Sequence, residues 1–246
     1  MDREIFIGFD PRERRAYDAC VRSILTHAKE PIAIRPISRQ TLGARYDRPT
    51  ETRDGKLWDV ISAAPMSTEF SLARFWVPTV SFARVALFVD CDFLFRADPA
   101  ELFDLFDQRY AVQVVQHDHQ PAEAVKMDRQ QQTRYARKNW SSCALWNLRH
   151  AAAKRCSMHD LNSRQGLWLH GFGWLKDQEI GHLPETWNWL DGYSDPLIEP
   201  KAVHFTRGTP DMIRDCHSVY AADWWAHSGA HSAPHFPVHS TARAAA

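Results

Sequence analysis

Asp90 and Asp92 stand two residues apart at the end of the apolar run Val85-Ala86-Leu87-Phe88-Val89. A run of that length reads as a buried strand. Side chains two apart on an extended chain point to the same side. Both carboxylates are therefore expected to converge just past the strand's end, where open α/β sheets bind ligands. Two hard oxygen donors there suit Mg²⁺ or Mn²⁺ and, through the ion, a diphosphate. The spacing alone is a weak signal: 20 Asp in 246 residues give about 1.6 such pairs by chance, the false-positive risk of any short motif. The strand before the pair and the turn Arg96-Ala97-Asp98-Pro99 after it strengthen the signal. The plainer reading is a solvated strand end.

Elements that could position such a pair follow from the pattern on either side. Ile5-Phe6-Ile7-Gly8-Phe9 reads as a first buried strand. Asp10-Pro11-Arg12-Glu13 has the form of a helix start, with an acid at the N-cap, Pro at N1 and Glu at N3. Tyr17, Val21, Ile24 and Leu25 continue at helical spacing. Ile32–Ile37 is a second strand, and 38–57 is polar, with Asp54-Gly55 as a turn. Phe70–Phe82 reads as a helix that Pro78 kinks or ends. Asp98-Pro99-Ala100-Glu101 repeats the helix-start pattern. Tyr110–Val115, Cys143–Leu148, Trp187–Leu190 and Ala202–Phe205 are further strands. Residues 117–138 are polar and read as a long loop or exposed helix. Strands alternating with helices give an α/β sheet, mainly parallel at first.

Length and composition narrow the field. At 246 residues one domain of this class is the default; the expectation is a single domain over 1–228 and a disordered tail over 229–246, where Ala, His, Pro and Ser replace periodicity. His227, His231, His235 and His239 recur every four residues, but Pro234 and Pro237 forbid the helix that would align them. Thirty acidic and thirty basic residues leave no global field to attract nucleic acid. No apolar run approaches a membrane span, no peripheral membrane contact is visible, and Met1-Asp2-Arg3-Glu4 lacks the apolar region of a signal peptide. Five scattered cysteines fit a reducing cytoplasm. The ten Trp read mainly as core, though indole faces also serve sugars and bases.

Four segments together resemble a known family. They are Ile5 to Tyr17; Ser71-Leu72-Ala73-Arg74-Phe75-Trp76-Val77-Pro78; Leu87 to Phe95 with its Asp-x-Asp; and Val203-His204-Phe205-Thr206-Arg207-Gly208. Trp140-Ser141-Ser142 and Asp177-Gln178-Glu179 are weaker matches. In this order they resemble GT-A-fold glycosyltransferases, nearest the retaining glycosyltransferase family 8 type and its bacterial relatives. The resemblance implies a Rossmann-like nucleotide-diphospho-sugar transferase fold, a mixed sheet flanked by helices. It implies metal-dependent transfer of a hexose from a nucleotide diphosphate sugar, of the UDP type, to the hydroxyl of a glycan or other acceptor, with retention.

The resemblance also implies roles for individual residues. Asp10 would sit by the nucleobase, Arg74 would reach the donor sugar or phosphates, and Ser141, Ser142 and Gly208 would line the donor. Asp90 and Asp92 would hold Mn²⁺ or Mg²⁺ with His204 as third ligand. Asp177 and Gln178 would be the catalytic pair on the sugar or acceptor side. In a retaining transfer the departing phosphate itself can take the acceptor's proton. The family's Lys-Pro-Trp is replaced by Gly208-Thr209-Pro210-Asp211, leaving Arg207 or Lys138 as stand-ins for its Lys.

Each residue also has a plainer use. Asp10 as an N-cap is worth about 1 kcal/mol, Arg74 could be a snorkelling surface arginine, His204 a hydrogen-bonded strand histidine, and Asp177 and Glu179 exposed loop acids. Trp187 and Trp189 would share one strand face in the core. Rival functions are a nucleotidyltransferase of the same fold and a non-catalytic nucleotide-sugar-binding module. A phosphatase of the haloacid dehalogenase type is disfavoured, because its Asp-x-Asp ends the first strand.

Overall fold

The computed structural model describes residues 2–117, 137, 139–214 and 216–229. The central element is a six-stranded mixed sheet in the order β10-β8-β9-β6-β1-β2. Its strands are β1 (Arg3–Gly8), β2 (Ala33–Ile37), β6 (Val85–Val89), β8 (Val112–Val114), β9 (Cys143–Asn147) and β10 (Ile180–His182). All five residues of β6 are buried, which is what an uninterrupted apolar run demands of a strand covered on both faces. Parallel β1 lies between β2 and β6, while β9 runs antiparallel to both β6 and β8. Within this sheet proline occurs only in the edge strand β2, as Pro36, where a missing N–H costs no central ladder bond.

Two smaller sheets complete the strand set. β3 (Thr50–Arg53), β4 (Lys56–Asp59) and β5 (Ala64–Pro65) form an antiparallel meander. The β3–β4 turn is Asp54-Gly55, both at positive φ (49° and 73°), the backbone that a two-residue hairpin turn needs. β7 (Phe93–Phe95), β11 (Trp189–Leu190) and β12 (Ala202–His204) form the other sheet, in the order β11-β12-β7. The α-helices are α1 (Arg14–His27), α2 (Arg39–Leu42), α3 (Val77–Val80), α4 (Pro99–Phe103), α5 (Met158–Ser163), α6 (Gly166–His170) and α7 (Ala221–Ser228).

Both acid-proline starts are confirmed. Asp10 accepts the Arg12 N–H ahead of a 3-10 turn that leads into α1, and Asp98 accepts the Ala100 N–H at the start of α4. The expected long helix over 70–82 is a 3-10 turn, Ala73–Trp76, followed by α3. Pro78 lies in the first turn of α3 rather than at its end, where its missing N–H has no helical partner to lose. The expected strand from Trp187 begins only at Trp189; Trp187 belongs to a 3-10 turn, so the two indoles do not share a strand face, though both are buried. All ten Trp are buried or half-buried, as a core reading requires. The tail beyond Gly229, most of the 117–138 segment and the histidines at 231, 235 and 239 lie outside the described residues.

Candidate metal centre

Asp90 and Asp92 sit in the turn that joins β6 to β7. The expected alternation holds in outcome although the strand has already ended. Asp90 and Asp92 face a common space, while Cys91 between them is buried and donates its S–H to Glu13 Oε2 at 3.0 Å. Two backbone bonds pin the turn. The Asp90 N–H donates to Ser142 O, and Asp92 O accepts the Phe205 N–H, each at 3.0 Å.

The second of these bonds belongs to the junction that brings in His204. β12 pairs antiparallel with β7, and the register sets His204 opposite Phe93, the residue after Asp92. The imidazole stacks on the Phe93 ring with centroids 4.5 Å apart. A cross-strand pair thus carries a side chain across more than a hundred residues of sequence. Ligand atoms of Asp90, Asp92 and His204 all lie within 4.8 Å of one another, the one such trio of metal-binding side chains among the described residues. Two ligands on opposite sides of an ion of this kind stand about 4 Å apart, so the donor set fits one divalent cation.

Partners around the trio are themselves buried. Arg74 is 7 % exposed; it pairs with Asp90 at 2.8 Å, donates to Ser71 O and Ser141 O, and lies over the rings of Phe70 and Phe88. It is not a snorkelling surface arginine. His204 Nε2 is 3.4 Å from Asp92 Oδ1. His204 Nδ1 is 2.8 Å from Asn188 Oδ1, and Asn188 is fully buried. Asn188 Nδ2 donates to Ser142 Oγ at 3.0 Å and to Asn139 O at 3.3 Å. Ser142 Oγ in turn donates to Asn139 O, and Ser141 Oγ lies 3.0 Å from His170 Nδ1. Ser141 and Ser142 therefore brace the trio through backbone and side chain alike.

The other expected site residues are placed as follows. Asp10 is fully buried: it takes the Arg12 guanidinium and N–H, and the Glu69 N–H at 3.0 Å. Burial opposes its ionisation, but these donors outweigh that and hold its carboxyl below the ordinary value. Its capping role is thus observed. Gly208 has φ of +123°, a backbone that favours glycine, in the turn after His204. Arg207 is half-buried with its guanidinium over Tyr193, and Lys138 lies outside the described residues. Asp177 and Gln178 are exposed on the 3-10 turn before β10. Ile180, just after them, pairs with Val112, which aligns with Trp146 and Ala86; Asp90 follows the far end of that same ladder. The structure does not gather Asp177 and Gln178 into the trio. Asp177 pairs with Arg137, which also donates to Gly171 O. Glu179 is held down to about 2 by Arg155 and by the Lys176 N–H, a structural use.

Asn188, Glu13 and His170 escaped the sequence reading as site residues. Asn188 had a signal, an amide within the aromatic run Trp187-Asn188-Trp189, since a buried polar group needs partners. Glu13 was visible only as a helix-start residue. Burial, with the nearby charges of Asp92 and Asp10, raises its carboxyl to about 7 against the relief of the Cys91 hydrogen bond.

No protein-family model matches the chain. Protein CDI of Arabidopsis thaliana is 44 % identical over 229 residues, covering 90 % of this chain and 83 % of that protein. Among solved structures, galactosyltransferase LgtC in complex with donor and acceptor sugar analogs superposes with a TM-score of 0.57 at 16 % identity, covering 94 % of this chain and 98 % of that one. The apo glycosyltransferase GlyE of Streptococcus pneumoniae TIGR4 gives 0.57 at 15 %, over 93 % of this chain and 60 % of that one. The apo bifunctional WbbM gives 0.55 at 15 %, over 92 % and 51 %. The chain spans between half and three fifths of the length of those last two. The shared architecture is the GT-A glycosyltransferase fold.

Proposed function

We propose, from the premise that this chain belongs to the family of Arabidopsis thaliana Protein CDI and has the GT-A glycosyltransferase fold, that it is a metal-dependent hexosyltransferase. Its donor is a nucleotide diphosphate sugar of the UDP type, its acceptor a hydroxyl of a glycan or other molecule, and its outcome retention. The observation that carries this reading is the convergence of Asp90, Asp92 and His204 at the carboxyl end of a central strand. Two carboxylate oxygens and one imidazole nitrogen would hold Mn²⁺ or Mg²⁺, with the imidazole favouring the softer Mn²⁺. Such an ion, when bound, supplies Lewis-acid neutralisation of the diphosphate's charge. Arg74 holds Asp90 in place and keeps a positive charge beside the cluster. Gly208 leaves room for a donor to approach the backbone. The five unpaired cysteines support a reducing compartment, and a cytoplasmic one is the proposal. Among the described residues no helix is long and apolar enough to cross a membrane. We take 1–228 as the catalytic domain.

A screen of nucleotide sugars with Mn²⁺, reading nucleoside diphosphate release, tests the proposal. One donor should be hydrolysed slowly, the release should stop with a chelator, and His204→Ala should lower it by about one order of magnitude or more. Release that ignores the chelator sinks the metal dependence. Pyrophosphate release from a nucleoside triphosphate would point to a nucleotidyltransferase, and tight binding of a nucleotide sugar without turnover to a binding module.

A further inference from the structure

The amide of Asn188 has no freedom of orientation. Its nitrogen faces Asn139 O, a carbonyl that can only accept, and Ser142 Oγ, whose own proton goes to that same carbonyl. Nδ2 must therefore be the atom on that side, and Oδ1 must be the atom 2.8 Å from His204 Nδ1. An amide oxygen cannot donate, so the His204 Nδ1 must carry the proton. Nε2, 3.4 Å from Asp92 Oδ1, is then the ring nitrogen that faces the carboxylates. The order of donors leads from Nδ1–H to the amide and on to the Asn139 carbonyl. Asn188 is fully buried and His204 is 3 % exposed, so no bulk water competes for these bonds.

We propose that Asn188 is the positioning residue of the metal centre: it accepts the Nδ1 proton of His204 and so fixes the ring in the tautomer and orientation in which Nε2 can bind a cation beside Asp90 and Asp92. The inference rests on the metal reading given under the proposed function. An outer partner of this kind raises the basicity of a ligating imidazole and is worth about 10- to 100-fold in metal affinity. Asn188 touches neither donor nor ion in this role and acts through His204.

The experiment has two independent readouts. Long-range ¹⁵N–¹H correlation spectra of protein labelled at histidine nitrogens, with His204 identified by its loss in His204→Gln, report the tautomer without any metal. Calorimetric titration with Mn²⁺, alone and with UDP, reports the affinity. The wild type should show the Nδ1–H form. Asn188→Leu should abolish that preference and weaken Mn²⁺ binding about 10- to 100-fold. Asn188→Asp keeps an acceptor toward Nδ1, provided that its second oxygen is protonated to donate to the Asn139 carbonyl, and should restore the Nδ1–H form, a rescue that a merely space-filling residue would not show. A wild type whose ring carries its proton on Nε2 alone, or Asn188→Leu with wild-type Mn²⁺ affinity, overturns the proposal. Should Asn188→Leu fail to fold, the wild-type tautomer and Asn188→Asp decide it. A wild type with Nδ1–H that binds no Mn²⁺ overturns the metal reading and this inference with it, and is distinguishable from a wrong tautomer.

Discussion

Among the described residues, two Arg–Asp pairs with a buried arginine stand in contrasting surroundings. Arg48 and Asp59 meet fork to fork, Nε to Oδ1 at 2.9 Å and Nη2 to Oδ2 at 2.7 Å, with side chains 0 % and 1 % exposed. The remaining valences are taken up by Leu161 O, which accepts from Arg48, and by the Ser62 N–H, which donates to Asp59. That pair ties the β3–β5 meander to α5. Arg74 and Asp90 also meet at 2.8 Å, but Asp90 shares its space with a second carboxylate and an imidazole. Closed geometry makes a lock; the same two residue types beside further ligands make a site. Burial of a charged pair is therefore no guide to function until the neighbours of each oxygen are named.

Substitutions can break that contrast. The largest effect is expected at the lock. Asp59→Ala strands the Arg48 charge and should cost about 3–5 kcal/mol, read by urea or thermal unfolding, with Mn²⁺ binding intact wherever the chain stays folded. A small change in melting temperature would show that the lock is not closed. Asp92→Asn comes next. It should lower metal-dependent donor turnover about 10²–10³-fold while the melting temperature stays close to that of the wild type. Destabilisation as deep as that of Asp59→Ala would make the two pairs equivalent and dissolve the comparison.

A third test uses pH. Glu13 moves from an ordinary 4.5 to about 7 in the folded chain, so between those values the native state binds more protons than the unfolded one. Stability of the metal-free protein should then fall as pH rises through that window, by up to roughly 3 kcal/mol. Glu13→Gln should flatten the curve, and so should Mn²⁺, which offsets the Asp92 charge. An unchanged slope in Glu13→Gln would assign the dependence to another group. The smallest effect is expected at Asp177. Its side chain is 90 % exposed and its ion pair is with Arg137, so Asp177→Asn should leave turnover within roughly twofold and the melting temperature unmoved. A hundredfold loss would support the catalytic role that the family resemblance implies.

What could be read in advance divides along a physical line. Val85–Val89, the Asp10-Pro11 and Asp98-Pro99 starts and the Asp54-Gly55 turn were legible because local rules decide them: a run of apolar residues, a fixed proline φ, a left-handed turn. The convergence of Asp90 and Asp92 was legible from their spacing at a strand's end, whereas His204 was legible only by resemblance, since a cross-strand register leaves no local trace. Short 3-10 pieces such as Ala73–Trp76 and the late onset of β11 are set by packing, which overrides the apolar count. Asn188 was missed because an amide between two tryptophans looks like an interruption until its partners are known. Asp177 was named by resemblance alone, and matching letters say nothing about which end of a strand they enter.

The β7–β12 ladder has a bearing on how the protein comes into being. Every strand of the six-stranded sheet is encoded before residue 183, whereas β12 begins at Ala202. A ribosome that has delivered the first 190 residues has supplied the whole large sheet and both aspartates, but not His204. Domains begin to fold while the chain is still emerging, so the body can assemble while His204, the third member of the trio, is still unsynthesised. The proposed metal centre is thereby completed after the large sheet, and a chain stalled short of residue 204 carries the architecture without the imidazole.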